Sequence, residues 1–332
     1  EQAAVLPHTS NLFYNEKTAM LAGRLALRTH FERVFLSNSG AEANECLIKT
    51  ARKWASDTKG EGEHPFVTLV NSFHGRTLTT VTATGQDTFH KFFGPFTPGF
   101  RYVPAGDLAA LERQLDDEDC SAVLVEIVQG EGGVRALDAD YLKAVEALCH
   151  EKNVLFCVDE VQTGNGRTGT WFAYEQFGLS PDLVSTAKGL GNGLPIGATL
   201  MGPKTAEVLT PGTHGSTFGG NPVACAGALS VLEQIDDAFL EAVKQKGAWL
   251  TAELEKIPGV KDVSGLGLML GFSVEGCKSA DIKAKALDNG LVVLTAKDRV
   301  RLLPPLAITE EELSDGLLRL AAAIREVQEA AH

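Results

Sequence analysis

Residues 154–164 have the sequence VLFCVDEVQTG. The stretch opens with an unbroken apolar run, which is typical of a strand that is buried on both of its faces. A second run of this kind is Ala122–Val128, and the stretch between the two, Asp140–Glu151, repeats apolar residues at helical spacing. This β-α-β alternation predicts an α/β fold with a mostly parallel sheet flanked by helices.

The same alternation extends in both directions along the chain. Further strands are predicted at Val34–Leu36, Phe66–Val70 and Leu183–Thr186, and a helix over residues 41–56 follows the first of them. We therefore assign residues 15–235 to one large domain. Residues 1–14 are expected to be the remainder of an N-terminal segment.

After about residue 235 the pattern changes to helices and short strands, which predicts a smaller C-terminal α+β domain over residues 236–332. Thr309 and Glu312 have the spacing of a capping box at the start of its last helix. The elements predicted here are helices at Phe239–Lys256 and Glu310–Ala330, with strands near Val260–Val263, Leu268–Val274 and Leu291–Leu294.

The composition predicts a globular protein with a substantial core. Of the 332 residues, 44% are hydrophobic, and the net charge of −13 argues against non-specific binding to nucleic acid or anionic membranes. No apolar run approaches the roughly 18 residues that a membrane span needs. The six cysteines are scattered without a CxxC pair, so we expect small buried side chains in a cytoplasmic protein and no metal site.

Asp159 ends a strand that is predicted to be buried. Open α/β sheets place their ligands at such strand ends, and a buried carboxylate there needs a partner. A protonated ring nitrogen of a ligand would be such a partner. Two other interpretations stay open, namely that Asp159 caps the following turn or that it binds Mg²⁺, although the chain has no GxxxxGK[ST] run.

Residues 37–44, SNSGAEAN, join a strand to a helix. Ser39 and Glu42 have the spacing of a capping box, and Gly40 permits a ligand to approach the backbone closely. The N–H groups of a helix N-terminus suit a phosphate, although a well-capped helix alone would also explain the motif.

Lys188 follows another predicted strand, in the stretch STAKGLGNG at residues 185–193. A lysine in a partly apolar, electropositive pocket can lose its proton and react with a carbonyl compound. A solvated loop lysine is the alternative interpretation.

Two further motifs are compatible with ligand binding. In FHGRT at residues 73–77, Phe73 could stack on a flat ring and Arg76 could hold a carboxylate, or these side chains could be core and solvated surface. The loop HGSTFGGNP at residues 214–222 suits contact with an anion, but turn formation also explains its composition.

Together and in this order, the motifs are specific. Residues 11–330 resemble the class III (ornithine/acetylornithine-type) aminotransferases, which have the type I pyridoxal-phosphate transferase fold. The resemblance implies pyridoxal 5′-phosphate as cofactor, bound by the large domain, and a homodimer with shared active sites. The motifs that carry it are SGAEAN at 39–44, FHGRT at 73–77, DEVQ at 159–162, TAKG at 186–189 and GST at 215–217.

The resemblance also implies a role for each matching residue. Lys188 carries the cofactor covalently, Asp159 pairs with its ring N–H, and both are catalytic. The other implied cofactor contacts are Gly40 and Ala41 at the phosphate, Phe73 on the ring face, Val161 behind the ring, Gln162 at the ring hydroxyl, Thr217 from the neighbouring subunit, and Glu160. The implied substrate contacts are Arg76 and Ser216 for the amine donor, Arg301 for the α-carboxylate of the acceptor, and Glu131, which pairs with Arg301 while the donor is bound.

Within the family, the motifs are most like those of enzymes that transfer the δ-amino group of N2-acetylornithine to 2-oxoglutarate. The products would be N-acetylglutamate 5-semialdehyde and glutamate, in arginine biosynthesis. Other donors stay open, namely ornithine, succinyl-diaminopimelate, a carrier-linked lysine precursor and 4-aminobutyrate. A homologue that binds without turnover is a further alternative, against which the intact Lys188 and Asp159 argue.

Overall fold

The computed structural model describes residues 1–116 and 119–330. The chain forms two compact units. Two short segments from within the range predicted as the large domain belong to the second unit. The first unit contains Glu1–Ile127, Leu137–Asn165 and Phe172–Asp236, and the second contains Val128–Ala136, Gly166–Trp171 and the chain from Asp237 onward.

The first unit is built on a seven-stranded sheet with the order β1-β9-β8-β7-β4-β2-β3. The five strands from β8 to β3 run parallel, and β9 is antiparallel to both of its neighbours. The mostly parallel sheet predicted from the sequence is therefore confirmed. The strands of the chain are β1 Arg33–Ser37, β2 Phe66–Leu69, β3 Phe100–Val103, β4 Ala122–Val125, β5 Val128–Gln129, β6 Arg135–Ala136, β7 Leu155–Asp159, β8 Leu183–Thr186, β9 Gly197–Met201, β10 Val260–Leu266, β11 Met269–Val274, β12 Leu294–Ala296 and β13 Arg299–Leu302.

The four helices predicted from apolar periodicity are all present, with ends that differ by up to three residues. The helices are α1 Gln2–Val5, α2 Glu16–Arg28, α3 Gly40–Lys59, α4 Leu78–Ala83, α5 Asp87–His90, α6 Leu108–Leu115, α7 Ala139–Glu151, α8 Pro222–Gln234, α9 Asp237–Leu254, α10 Ser279–Asp288 and α11 Glu310–Ala330, with short 3₁₀ turns at Ala173–Phe177 and Lys188–Leu190.

The central strands β4 and β7 are buried along their whole length, as their apolar runs predict. Helix α3 packs Leu47, Ala51 and Trp54 into the same apolar cluster as Leu124 and Leu155. Full burial of a side chain the size of leucine contributes roughly 1.5–3 kcal/mol. This packing fixes the N-terminus of α3 beside the carboxyl ends of the parallel strands.

The strand predicted over Ala122–Val128 is shorter in the structure. β4 ends at Val125, and β5 pairs instead with β6 in a separate two-stranded ribbon. At the break, the carboxylate of Glu126 accepts a hydrogen bond from the backbone N–H of Phe73 at 3.0 Å. The acidic side chain thus bonds to the loop that follows β2, where the apolar run alone suggested a continuous strand.

The second unit contains an antiparallel sheet with the order β10-β11-β13-β12. The predicted strand Leu291–Leu294 is displaced, because pairing begins only where Leu294 faces Arg301. Val293 is buried in the core but lies outside the strand. Strand β13 was not predicted, since two arginines interrupt its apolar pattern.

The capping box at α11 is confirmed. The backbone N–H of Thr309 donates to Oε2 of Glu312 at 2.9 Å, and the N–H of Glu312 donates to Oγ1 of Thr309 at 3.2 Å. All six cysteines are unpaired, and five of them are buried, as expected for small core residues. Within residues 1–116 and 119–330, the helices lack the combination of length and apolar character that crossing a bilayer requires.

Candidate active site

A cavity of about 710 Å³ lies within the first unit, where the carboxyl ends of the parallel strands meet the N-terminus of α3. This is the position at which open α/β sheets place their ligands. Eight of the residues predicted from the sequence line it, namely Gly40, Ala41, Phe73, Arg76, Asp159, Val161, Gln162 and Lys188.

Asp159 ends β7 and is 4% exposed. Its Oδ2 accepts a hydrogen bond from Nδ2 of Asn44 at 2.7 Å and lies 2.8 Å from Nδ1 of His74. Its Oδ1 accepts from the backbone N–H of Val161 at 3.0 Å. Three donors around one carboxylate offset the free energy that its burial costs. The arrangement holds a negative charge at the floor of the cavity.

Lys188 follows β8 and begins a 3₁₀ turn. Its backbone φ is 44°, a conformation that non-glycine residues rarely adopt and that the surrounding contacts must hold in place. Asn165 supplies such contacts, because its Nδ2 donates to Oγ1 of Thr186 at 2.8 Å and to the carbonyl of Ala187 at 3.2 Å. The turn thereby places Lys188 on the wall of the cavity that holds Asp159.

The N-terminus of α3 forms another wall. Ser39 caps the helix by accepting from the N–H of Glu42 at 3.2 Å, and Glu42 accepts from the N–H of Asn38 at 2.8 Å. The first N–H groups of a helix have no partner inside it, so those of Gly40 and Ala41 are suited to an anion. A Cβ atom at Gly40 would lie 2.6 Å from Cγ1 of Val161, which explains why glycine stands there.

Phe73 and Arg76 line the side of the cavity formed by the loop after β2. The ring of Phe73 lies 5.2 Å from that of Phe89 in an edge-to-face arrangement. The guanidinium of Arg76 lies 5.8 Å from the centroid of Phe73 and 5.3 Å from that of Phe89. These distances are those of cation–π contacts, which hold the arginine against the aromatic pair.

A buried carboxylate, a lysine, an aromatic side chain and a capped helix N-terminus therefore surround one cavity. The Aminotransferase class-III family matches residues 1–324 of the chain. The chain belongs to the class III aminotransferases.

Relatives and solved structures of this family cover almost the whole chain. An acetylornithine aminotransferase of Haemophilus ducreyi is 51% identical over 97% of this chain and 82% of its own length. The structure of an ornithine aminotransferase from Toxoplasma gondii, described with partial occupancy of PLP at its active site, superposes with a TM-score of 0.93 at 37% identity, covering 99% of this chain and 81% of that one. An N-acetylornithine aminotransferase of Stenotrophomonas maltophilia has a TM-score of 0.87 at 38% identity, covering 99% of this chain and 85% of that one.

Glu160, expected among the cofactor contacts of the class III enzyme, does not line the cavity. Its side chain is fully buried, and its carboxylate accepts from the hydroxyl of Thr163 and from the backbone N–H of Tyr174 at 2.9 Å. Burial raises the pKa of Glu160 to about 7. The side chain anchors the segment that follows it, which the neighbouring position of Asp159 in the sequence did not reveal.

Ser216 and Thr217 also lie outside the lining of this cavity in the first unit. The hydroxyl oxygen of Ser216 accepts from Nδ2 of Asn38 and from the N–H of Gly219, both at 3.1 Å. Nδ2 of Asn11 donates to the carbonyl of Ser216 at 2.7 Å. These contacts fix the loop next to the N-terminus of α3 and leave Thr217 exposed to solvent.

Glu131 and Arg301 form an ion pair within the second unit, with Nη1 of Arg301 2.6 Å from Oε1 of Glu131. The arginine side chain is 10% exposed and the glutamate side chain 32%. Nε of Arg301 is buried and has no hydrogen-bond partner among the described residues. The guanidinium can therefore accept a second carboxylate without losing an existing partner at Nε.

Sequence reasoning gave no separate role to Asn44, His74, Glu126 or Asn165. Asn44 and His74 stand inside quoted motifs, and their polar type at positions otherwise suited to core residues was the available signal. Glu126 and Asn165 have no signal of this kind, because their partners belong to distant strands and turns.

Proposed function

We propose that this class III aminotransferase transfers the δ-amino group of N2-acetylornithine to 2-oxoglutarate, with pyridoxal 5′-phosphate as its cofactor. The observation that carries the proposal is the single cavity lined by both Asp159 and Lys188. The products are N-acetylglutamate 5-semialdehyde and glutamate, which places the enzyme in arginine biosynthesis.

The side chains of the cavity fit this cofactor. Gly40 and Ala41 offer helix N-terminal N–H groups to a phosphate, and Asp159 offers a buried carboxylate to a protonated ring nitrogen. Oε1 of Gln162 is buried without a hydrogen-bond partner among the described residues, so it is available to the ring hydroxyl. When bound, the protonated pyridine ring supplies a sink for the electron pair that remains after a proton leaves the neighbouring substrate carbon.

Two residues of the chain act on protons in this scheme. Asp159, held by three hydrogen bonds, keeps the proton on the ring nitrogen of the cofactor. Lys188 binds the cofactor covalently in the resting enzyme. Once displaced by the donor, Nζ of Lys188 in its neutral form takes the proton from the amine-bearing carbon and returns it at the carbon that becomes neutral.

The substrate carboxylates require cationic partners. We assign Arg301 to the α-carboxylate of 2-oxoglutarate, and Glu131 to masking Arg301 while the amine donor reacts. The 2.6 Å ion pair supports the assignment, because an arginine paired with a mobile carboxylate can exchange it for a substrate carboxylate. Arg76, which lines the cavity, and Ser216 are assigned to the acetylated donor.

The donor assignment is supported by the relatives. The Haemophilus ducreyi protein, named as an acetylornithine aminotransferase, is 51% identical, and one of Bacillus subtilis is 46% identical over 96% of this chain. Ornithine is the second candidate, because the Toxoplasma gondii ornithine aminotransferase superposes with a TM-score of 0.93.

We further propose that the enzyme is a cytoplasmic homodimer with shared active sites, in which Thr217 completes the phosphate site of the neighbouring subunit. Leu12, Phe13, Tyr14 and Phe92 are each at least 68% exposed. Apolar side chains of this size favour burial against a second protein surface. Analytical ultracentrifugation tests the dimer, and a single sedimenting species of 35.4 kDa at micromolar concentration would contradict it.

A donor panel tests the central proposal. The holoenzyme is assayed with 2-oxoglutarate as acceptor and each donor in turn: N2-acetylornithine, ornithine, succinyl-diaminopimelate and 4-aminobutyrate. We expect the highest kcat/KM with N2-acetylornithine. A higher kcat/KM with ornithine would select the second candidate, and the absence of glutamate formation with every donor would refute the aminotransferase assignment.

A further inference from the structure

Arg299 is a buried arginine that the proposed reaction does not use. It lies on β13 two residues before Arg301 and is 1% exposed. Alternate residues of a strand point to the same face of a sheet, so Arg299 and Arg301 share a face. Because a buried guanidinium is unfavourable unless its N–H groups are bonded, its acceptors show what it holds together.

The recorded acceptors of Arg299 are neutral oxygen atoms. Nη1 donates to the carbonyl of Gly133 at 2.7 Å and to the hydroxyl of Ser264 at 2.9 Å. Nη2 donates to the carbonyl of Gly271 at 2.7 Å and to that of Asp262. The side chain thus joins the turn between β5 and β6 to strands β10 and β11.

That turn carries Glu131. Beyond it, Gly133 and Val134 have φ values of 108° and 54°, and valine rarely adopts a positive φ. The hydroxyl of Ser264 donates to the carbonyl of Val134 at 2.6 Å, and a Cβ atom at Gly271 would lie 2.7 Å from Cβ of Val134. The turn is therefore held in an unfavourable conformation by contacts with the sheet below it.

We propose that Arg299 is a positioning residue for the Glu131–Arg301 pair, because it fixes the turn that carries Glu131 against the sheet that carries Arg301. The inference rests on the proposed roles of those two residues. Burial lowers the pKa of Arg299 to about 10, and Arg135 acts in the same direction, so Arg299 keeps its charge near neutral pH.

The consequence concerns the choice of amine donor. With the turn fixed, Glu131 stays within reach of Arg301 and masks it, and only the glutamate side chain has to move when the acceptor binds. Without Arg299 the turn relaxes and Arg301 is exposed more often. An α-amino acid such as glutamate then competes better with the ω-amine donor.

The test is the single-turnover rate of the holoenzyme with N2-acetylornithine and with glutamate, followed by the visible absorbance of the cofactor. In Arg299→Gln we expect the ratio of the two rate constants to fall about tenfold, the effect of losing hydrogen bonds from a charged donor. Arg299→Lys and Ser264→Ala should shift the ratio in the same direction by less. Arg319→Gln, an exposed arginine of α11, is the matched control and should leave the ratio unchanged.

A double-mutant cycle with Glu131→Ala separates positioning from a general structural role. If Arg299 acts through Glu131, Arg299→Gln lowers the ratio in the wild-type background but not in the Glu131→Ala background. An equal further fall in the second background would overturn the proposal. If Arg299→Gln does not fold, Arg299→Lys and Ser264→Ala are used in the same cycle.

The remaining outcomes distinguish this inference from the proposed function. If Glu131→Ala lowers the ratio while the Arg299 and Ser264 variants leave it unchanged, Arg299 has no positioning role and the proposed function stands. If Glu131→Ala itself leaves the ratio unchanged, the masking role of the pair is wrong, and the inference about Arg299 fails with it.

Discussion

Nδ1 of His74 lies 2.8 Å from Oδ2 of Asp159, and both side chains are buried at the floor of the cavity. Nε2 of the same ring is also buried and has no hydrogen-bond partner among the described residues. His74 thus has Asp159 as its recorded side-chain partner, which assigns the histidine to holding the carboxylate in place.

We expect His74→Leu to lower kcat about tenfold or more and to speed the loss of cofactor, because a hydrogen bond to a charged group contributes about 1.5–3 kcal/mol. Stopped-flow measurement of the donor half-reaction and dialysis of the holoenzyme check the two effects. His64→Leu is the control, since His64 is also buried but bonds to the carbonyls of Gly60 and Asp119. Equal losses in both variants would contradict the role of His74.

Lys188→Ala should lose the visible absorbance of the covalently held cofactor and reduce turnover by at least about 10³-fold, because both the attachment point and the proton carrier are removed. The measurement is an absorbance spectrum with a steady-state assay. Lys53→Ala, in an exposed pair with Asp57, should behave as wild type. Near-normal turnover of Lys188→Ala would refute the central assignment.

Arg301→Ala should slow the half-reaction with 2-oxoglutarate about 10²-fold or more, because a charge-assisted clamp on the acceptor carboxylate is lost. The half-reaction with N2-acetylornithine should change much less. Single-turnover assays of each half check the difference, with Arg319→Ala as the exposed control. Equal losses in both halves would remove Arg301 from the acceptor site.

Gly40→Ala should weaken cofactor affinity roughly tenfold or more, because the new Cβ would lie 2.6 Å from Cγ1 of Val161 and push apart two walls of the cavity. Fluorescence titration of the apoenzyme with pyridoxal 5′-phosphate measures the change. Gly23→Ala in α2 is the control, because nothing lies within 4 Å of a Cβ there and alanine favours a helix. Unaltered affinity in Gly40→Ala would contradict the close contact.

Glu160→Gln should stabilise the protein at pH 8 and have little effect at pH 4. Burial raises the pKa of Glu160 from 4.5 to about 7, so the folded state binds more protons than the unfolded state between these values. Stability from this group is therefore full below pH 4.5 and lost as the pH rises through 7, by at most on the order of 3 kcal/mol. Thermal unfolding of both proteins across this range checks the sign, with exposed Glu255→Gln as control. A lower Tm for Glu160→Gln at pH 8 would contradict it.

Much of the fold could be predicted because its signals are local. The apolar runs of β4 and β7, the periodicity of α7 and the cap at Ser39 each involve residues within a few positions of one another. The strands that failed, at residues 291–294 and 299–302, lack such a signal. There the pairing of Leu294 with Arg301 defines the strands, and apolar pattern does not.

The sequence by itself determined the order of strands and helices along the chain, and the polar residues Asp159 and Lys188 at the ends of buried strands. Only the tertiary structure decided which side chains surround them. Asn44 and His74 reach Asp159 from 115 and 85 residues away, and Arg299 reaches Gly133 across 166. The physical reason is that propensity and capping act over a few residues, whereas the partners of a buried charge are brought to it by the packing of distant elements.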